Sequence, residues 1–242
     1  MRRRVERQLA RARRWHWVTV GVLVCLVAAA TAHAGTGDTL PSAPLQQFVA
    51  PAPGSYQLER IQKVPKGTVL DERGRAQALA NFTTDKITLL GFIYTYCVDP
   101  IGCPLAFCTF TSVREKVAAD PLLARRVRLV SMSFDPTNDT PEAMLRYAGK
   151  LADEAGAPRW HFLTSRSVDE LKPIIDDFGQ DVAVQRDDKG RATRLFHHML
   201  KVFLIDPQGQ VREIYSTAYL MPEVMFNDIR TLALEREGRE GR

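Results

Sequence analysis

The chain lacks the features that define several large classes of protein. Its 242 residues include only 15 Gly and 14 Pro, and 45% are apolar and 25% charged, which excludes collagen-like and low-complexity chains. The sequence has no internal repeat, and a single apolar run approaches the length of a membrane span, which excludes a multi-span membrane protein. This composition is typical of an ordinary globular protein with one sizeable core.

Excess positive charge is also missing from most of the chain. The net charge of +5 and the sequence pI of about 9.1 would on their own suggest a nucleic-acid partner. Residues 1–34, however, hold seven Arg and one Glu, which leaves 26 basic and 27 acidic residues, a net charge of −1, for the remainder. The basic character therefore belongs to the N-terminus, and no nucleic-acid partner is expected.

The N-terminal 34 residues have the pattern of a targeting segment. Seven Arg precede the apolar run VTVGVLVCLVAAAT, and the A-x-A-like sequence AHA ends at Ala34, as in a secretory signal peptide. The alternative is an uncleaved membrane anchor, since the apolar stretch is just long enough to span a bilayer. Both alternatives predict an exported domain in the bacterial periplasm, with or without anchoring to the inner membrane. Residues 35–60 are rich in Pro and Ala and are predicted to be a flexible lead-in.

Strand and helix patterns alternate after this lead-in. The order favours an α/β thioredoxin-like fold over residues 61–237, with a central mixed β-sheet, helices on both faces and a polar tail at residues 238–242. The predicted strands are residues 86–96, 127–134, 199–206 and 210–216, with a shorter candidate around His161. The predicted helices are residues 104–119, 141–155, 167–178 and 222–237. The polar residues 185–194 are predicted to form a surface loop.

Cysteine is scarce, and its placement is informative. Cys25 lies in the apolar targeting run, and the other three cysteines, Cys97, Cys103 and Cys108, fall within twelve residues. A domain of this size needs no disulfide to fold, so clustered thiols in an oxidising compartment indicate redox or metal chemistry.

Cys97 and Cys103 are predicted to share a strand-to-helix loop. Cys97 follows a predicted strand, and Cys103 precedes Pro104 at a predicted helix start. The positive end of the helix dipole favours a thiolate there, so Cys103 is expected to be the more reactive thiol. Cys108 lies five residues further along the helix, on a different face, and is expected to be a buried small hydrophobe.

A thiol pair of this kind has three interpretations: a soft metal site, a redox dithiol or a static disulfide. A histidine would favour copper, because two thiolates and an imidazole suit that metal in both oxidation states. His197 and His198 lie where the polar stretch meets a strand, so either is a candidate ligand. His161 is more consistent with a structural role within a strand.

Four segments of the chain resemble the Sco/SenC/PrrC family. They are FIYTYC with CPLAF, SMSFDPTNDTPEAMLRYA, WHFLT and HHMLKVFLIDPQGQV, within a resemblance that runs from about Val64 to about Phe226. The family has a single His nine residues before the Pro of a hairpin turn, and counting back from Pro207 assigns that role to His198. Asp135 matches an acidic residue that the family keeps near its cysteines.

The resemblance implies a thioredoxin-fold copper protein at the outer face of an energy-transducing membrane. It implies copper binding by Cys97, Cys103 and His198, with Asp135 in support, and delivery of copper to cytochrome c oxidase or reduction of the thiols of its copper centre. The expected partners are a subunit of a copper-receiving respiratory enzyme and another periplasmic copper chaperone. One departure is the spacing C-x5-C, where the family usually has C-x3-C.

Two further functions stay open on the sequence. One is a thiol–disulfide oxidoreductase without a physiological metal, with Cys103 as the nucleophile and Cys97 as the resolving thiol. The other is a thioredoxin-fold module that carries a Cys97–Cys103 disulfide and acts as a redox sensor. His198 discriminates these from the chaperone, because its replacement is expected to abolish copper binding and leave disulfide exchange largely intact.

Overall fold

A computed structural model describes residues 49–99, 102–152 and 158–240. The predicted targeting segment 1–34 and most of the lead-in lie outside the described residues. No helix within the described ranges is long and apolar enough to cross a membrane.

The centre of the fold is a six-stranded mixed sheet. Its order is β1-β10-β9-β4-β5-β6, with β4 parallel to β5, β5 parallel to β6 and the other neighbours antiparallel. The strands are β1 (Gln62–Lys63), β4 (Ile87–Ile93), β5 (Val127–Ser133), β6 (Arg159–Leu163), β9 (Lys201–Ile205) and β10 (Gln210–Ser216). β4 and β5 are entirely buried, as expected for the central strands of a sheet covered on both faces.

Two small antiparallel ribbons flank this sheet. One pairs β2 (Thr68–Leu70) with β3 (Ala76–Ala78), and the other pairs β7 (Val182–Arg186) with β8 (Ala192–His198). The second ribbon, called here the histidine hairpin, contains the whole stretch 185–194 that was predicted to be a surface loop. That prediction was wrong for its ends, since only the turn between Arg186 and Ala192 lies outside the strands.

Six α-helices complete the described part of the chain. They are α1 (Ala80–Thr83), α2 (Gly102–Ala118), α3 (Pro121–Arg126), α4 (Pro141–Ala148), α5 (Val168–Asp177) and α6 (Pro222–Glu240). The predicted start signals are confirmed: Thr140 Oγ1 accepts from the Ala143 N–H at 3.3 Å, and Ser167 Oγ accepts from the Glu170 N–H at 3.2 Å. The helix predicted over 141–155 stops early, at Ala148, and continues as a 3-10 turn, Gly149–Ala152.

Apolar clusters cover both faces of the sheet, which confirms the predicted layering. One cluster joins alternate residues of β4 to α2 and α6, and the other joins the intervening residues to α5 and the ribbon β2–β3. Gly91, at the middle of β4, lets α2 pack closely: a Cβ there would stand 3.3 Å from Phe110 Cζ.

The folded part begins upstream of the predicted boundary near Ile61. Tyr56 donates a hydrogen bond to Asp228, the Gly54 N–H donates to Thr231 Oγ1 at 3.0 Å, and Leu58 is buried in the core. Residues 51–60 therefore pack against α6 and are part of the domain, contrary to the expectation of a flexible lead-in up to residue 60.

Candidate metal centre

The candidate centre lies at the carboxyl ends of β4 and β5. Because these neighbouring strands are parallel, the segments that follow them meet at the same edge of the sheet. Cys97 follows β4, and Asp135 follows β5. The predicted redox loop and the predicted acidic residue are therefore brought to one place by the sheet itself.

A buried carboxylate fixes the segment that carries Cys97. Asp139 is fully buried and accepts hydrogen bonds from the Thr95 N–H at 3.0 Å, the Thr95 hydroxyl at 2.6 Å and the Ser133 hydroxyl at 2.6 Å. Burial raises the pKa of Asp139, and the hydrogen bonds oppose that shift. Asp139 thus joins the segment after β4 to the end of β5, a role that sequence reasoning missed.

Cys103 is the second residue of α2 and is buried in the apolar cluster. Gly102, the first residue of the helix, has no side chain because the space is occupied: a Cβ there would stand 2.6 Å from Asp99 Oδ2. The Asp99 carboxylate therefore lies at the helix N-terminus, where the helix dipole favours a negative charge.

The two thiols have opposite protonation tendencies. A hydrogen bond from Cys103 is the largest cause that lowers the pKa of Cys97, to about 4, against the opposing effect of burial; His198 and Tyr94 lower it further. The pKa of Cys103 is raised by that same hydrogen bond, by burial and by the negative charges of Cys97 and Asp99. Cys97 therefore carries the thiolate and Cys103 the proton.

This result corrects the expectation that Cys103 is the more reactive thiol. The helix dipole does act at that position, but Cys103 is only 7% exposed and faces the Asp99 carboxylate. Cys97 is half-buried and lies nearer to solvent. Burial and the Asp99 carboxylate thus favour the proton on Cys103 and the thiolate on Cys97.

His198 reaches the thiols from the end of the histidine hairpin. It hydrogen-bonds with Cys97, and its ring packs on Phe134 and Tyr94 at centroid distances of 4.7 and 6.1 Å. Its Nδ1 is buried and, within the described residues, has no hydrogen-bond partner. His197, the neighbouring candidate, is exposed and pairs across the hairpin with Ala183.

A polar network, called here the hairpin clamp, holds the histidine hairpin beside the thiols. Asp135 accepts hydrogen bonds from the Tyr96 hydroxyl and from Asn138 Nδ2, the latter at 2.7 Å. The Arg194 guanidinium lies 4.7 Å from the centroid of the Tyr96 ring, and its Nη2 donates to Asn138 Oδ1 at 3.1 Å. Asp135 therefore acts through the clamp, on the position of the hairpin that carries His198.

The remaining predicted residues lie outside this cluster. Cys108 is half-buried on α2, so the expectation of a buried small hydrophobe was wrong. His161 lies in β6, where its Nδ1 stands 3.3 Å from Glu72 Oε1 and its ring packs edge-on against Phe82, which confirms a structural role.

A groove of about 1140 Å³ opens beside the centre, between α5 and the histidine hairpin. Tyr94, Asp99 and His198 line the end near the thiols, and exposed apolar side chains such as Val184 and Met199 line its rim.

The donor set suits a soft metal ion. Cys103 and His198 both lower the pKa of Cys97, and two sulfurs with one imidazole favour copper over hard cations. Within the described ranges, no three His, Cys, Asp or Glu side chains already stand in a metal-binding arrangement. Cys103 and His198 nevertheless both act on Cys97, because each lowers the pKa of its thiol.

A family model and a curated relative point to the same family. The family model SCO1/SenC matches residues 60–234. The SCO1 protein homolog of Bacillus subtilis is 27% identical over 148 residues, which are 60% of this chain and 70% of that protein.

Solved structures show the same fold. Copper-bound ScoI of Arabidopsis thaliana superposes with a TM-score of 0.58 at 18% identity, over 71% of this chain and 98% of that one. BsSco, a member of the Sco family of cytochrome c oxidase assembly proteins with an identified disulfide switch, gives a TM-score of 0.55 at 23% identity, over 74% and 98%.

Proposed function

We propose a copper function from one premise, that the chain belongs to the SCO1/SenC family. The domain binds copper through Cys97, Cys103 and His198 and delivers it to a respiratory copper enzyme of the cytochrome c oxidase type. The N-terminal segment exports the domain to the periplasm and, if uncleaved, anchors it to the inner membrane.

The observation that carries this proposal is that Cys103 and His198 both lower the pKa of Cys97, while the His198 ring packs on the neighbouring Phe134 and Tyr94. These side chains come from a strand end, a helix start and a separate hairpin, and two thiols with one imidazole are soft donors that suit copper. Cys97 is already a thiolate, so binding of Cu(I) releases only the Cys103 proton.

Competition for Cu(I) tests the proposal. The reduced wild type is titrated against a Cu(I) chelator. It is compared with a double variant that carries Cys97→Ser and Cys103→Ser, with the single variant His198→Ala, and with the control variant Cys108→Ser. We expect the double variant and His198→Ala to lose affinity while Cys108→Ser retains it, because Cys108 is on another face of α2. A wild type that competes no better than the double variant would contradict copper binding.

Thiol–disulfide exchange is a second candidate function, favoured by the half-buried Cys97 thiolate. The Cys97 sulfur attacks one sulfur of a partner disulfide, forming a mixed disulfide and releasing the other partner sulfur as a thiolate. Cys103 then loses its proton and attacks the Cys97 sulfur, which leaves a Cys97–Cys103 disulfide here and a reduced partner. His198→Ala separates the functions, since exchange with oxidised glutathione should persist in that variant when copper binding is lost.

A further inference from the structure

Three neighbouring side chains around His198 can bind metal ions, and they point to opposite sides of the extended backbone. His197 is exposed, His198 is half-buried, Met199 is 61% exposed and Leu200 is buried. This alternation is that of an extended chain, in which residues two apart share a side. His197 and Met199 therefore stand together, and His198 stands on the side of Cys97.

The backbone under this outer pair is held at both ends. His197 is paired with Ala183 in the hairpin ladder, and the Met199 carbonyl accepts a hydrogen bond from Nε2 of the buried Gln180 at 2.9 Å. Both side chains border the same groove as His198.

The chemistry of the pair selects the same class of ion as the candidate centre. A thioether is a soft ligand and an imidazole suits copper, whereas neither attracts Mg²⁺ or Ca²⁺. Residues two apart on an extended chain are separated by about 6.6 Å, so an imidazole and a thioether on one side can share a single ion.

We propose that His197 and Met199 form an outer Cu(I) site at which copper first binds before it reaches Cys97, Cys103 and His198. The role of this pair as an entry site rests on the proposed copper function. The ability of the pair to bind a soft ion is independent of that function. In the transfer, the bonds from copper to the imidazole and the thioether break, and bonds to the two cysteine sulfurs and His198 form. Cys103 releases its proton to solvent, and copper remains Cu(I), so no oxidant or reductant is needed.

Direct binding is tested in the full chain with Cys97→Ser and Cys103→Ser, which removes the inner thiols. Ag(I), a redox-inert stand-in for Cu(I), is added while the Met methyl groups are followed by NMR. We expect the Met199 methyl resonance to shift and saturate, and His197→Ala to weaken that binding roughly tenfold, about 1.4 kcal/mol. The Met221 methyl, half-buried before α6, serves as the internal control and should not move. An unmoved Met199 methyl, or a titration unaffected by His197→Ala, would overturn the proposal.

The entry role is tested with the thiols intact, by stopped-flow uptake of Cu(I) from its glutathione complex. Met199→Leu and His197→Ala should each slow uptake roughly tenfold and leave the equilibrium affinity nearly unchanged, with Met221→Leu as the control. Unchanged uptake rates would overturn the entry role. If the proposed centre itself is wrong, the wild type shows no tight Cu(I) binding while the Ag(I) titration of the outer pair still succeeds.

Discussion

At the scale of single residues, the two thiols differ in charge although they belong to one pair. The lowered pKa of Cys97, about 4, keeps it a thiolate at neutral pH, and reactivity is lost only as the pH falls through that value. For an ordinary thiol, with a pKa of about 8.5, the thiolate fraction rises roughly tenfold with each unit of increasing pH below that value. We therefore expect the alkylation rate of Cys97 in the reduced protein to be nearly flat between about pH 6 and 8.

Iodoacetamide labelling with mass mapping measures these rates for each cysteine. Cys103 should label far more slowly than Cys97, and in urea all three described thiols should regain the ordinary pH dependence. Tyr94→Phe should raise the pKa of Cys97, because the Tyr94 hydroxyl hydrogen-bonds to its sulfur. A tenfold rise per pH unit for native Cys97, or faster labelling of Cys103, would contradict the assignment.

Asp139 concentrates three hydrogen bonds in one buried carboxylate. Asp139→Asn replaces one acceptor oxygen by a donor that faces the Thr95 and Ser133 donors, so we expect the free energy of unfolding to fall by about 2 kcal/mol or more. Urea unfolding measures the loss. The control is Asp188→Asn at the exposed hairpin turn, which should change stability by less than about 0.5 kcal/mol. Equal losses in the two variants would show that the buried network contributes nothing particular.

At the scale of elements, the histidine hairpin is separate from the central sheet and depends on the clamp for its position. Arg194→Gln removes the contact with the Tyr96 ring, an interaction of about 1 kcal/mol, and should lower Cu(I) affinity about fivefold through His198. Arg191→Gln is the matched control, because Arg191 makes an exposed ion pair with Asp187 at the hairpin turn. Chelator competition measures both variants, and an equal effect of the two would argue against the clamp.

At the scale of the whole molecule, the segment 51–60 belongs to the folded domain although it lies almost entirely before residue 60, where the family match begins. Arg212 is buried, and it donates to the Leu58 carbonyl at 2.6 Å and to the Glu59 carbonyl at 2.9 Å. A chain that starts at Ile61 loses these acceptors and the buried Leu58 side chain, so it should be less stable than a chain that starts at Val49 by roughly 3 kcal/mol. Equal urea midpoints for the two chains would show that the folded domain begins near Ile61 after all.

The sequence predicts the elements well where the signal is local. Apolar runs mark β4 and β5, and Thr140 and Ser167 mark helix starts because a cap acts within three residues. The sequence does not reveal the hairpin strands around residues 185–194. Strands are recognised by alternating apolar residues, and this exposed polar ribbon has no such alternation.

The sequence names the residues of the candidate site, whereas it does not show their electrostatics. The resemblance implies Cys97, Cys103 and His198 as ligands, and in the structure Cys103 and His198 both lower the pKa of Cys97. The wrong assignment of the reactive thiol arose because the helix start is visible in the sequence while the position of the Asp99 carboxylate is not. Arg194 contacts Asn138 and Asp139 contacts Thr95, partners that are 56 and 44 residues apart in the sequence. Contacts at such separations leave no local pattern in the sequence.

The two ends of the C-x5-C connection are fixed independently of each other. The Asp139 network holds the segment before Cys97, and the first turn of α2 holds Cys103 within the core. Closing a connection two residues longer costs well under about 1 kcal/mol, since that cost grows only with the logarithm of length. The connection can therefore take up two extra residues with little loss of stability, so the spacing alone does not decide whether the two thiols can meet at one ion.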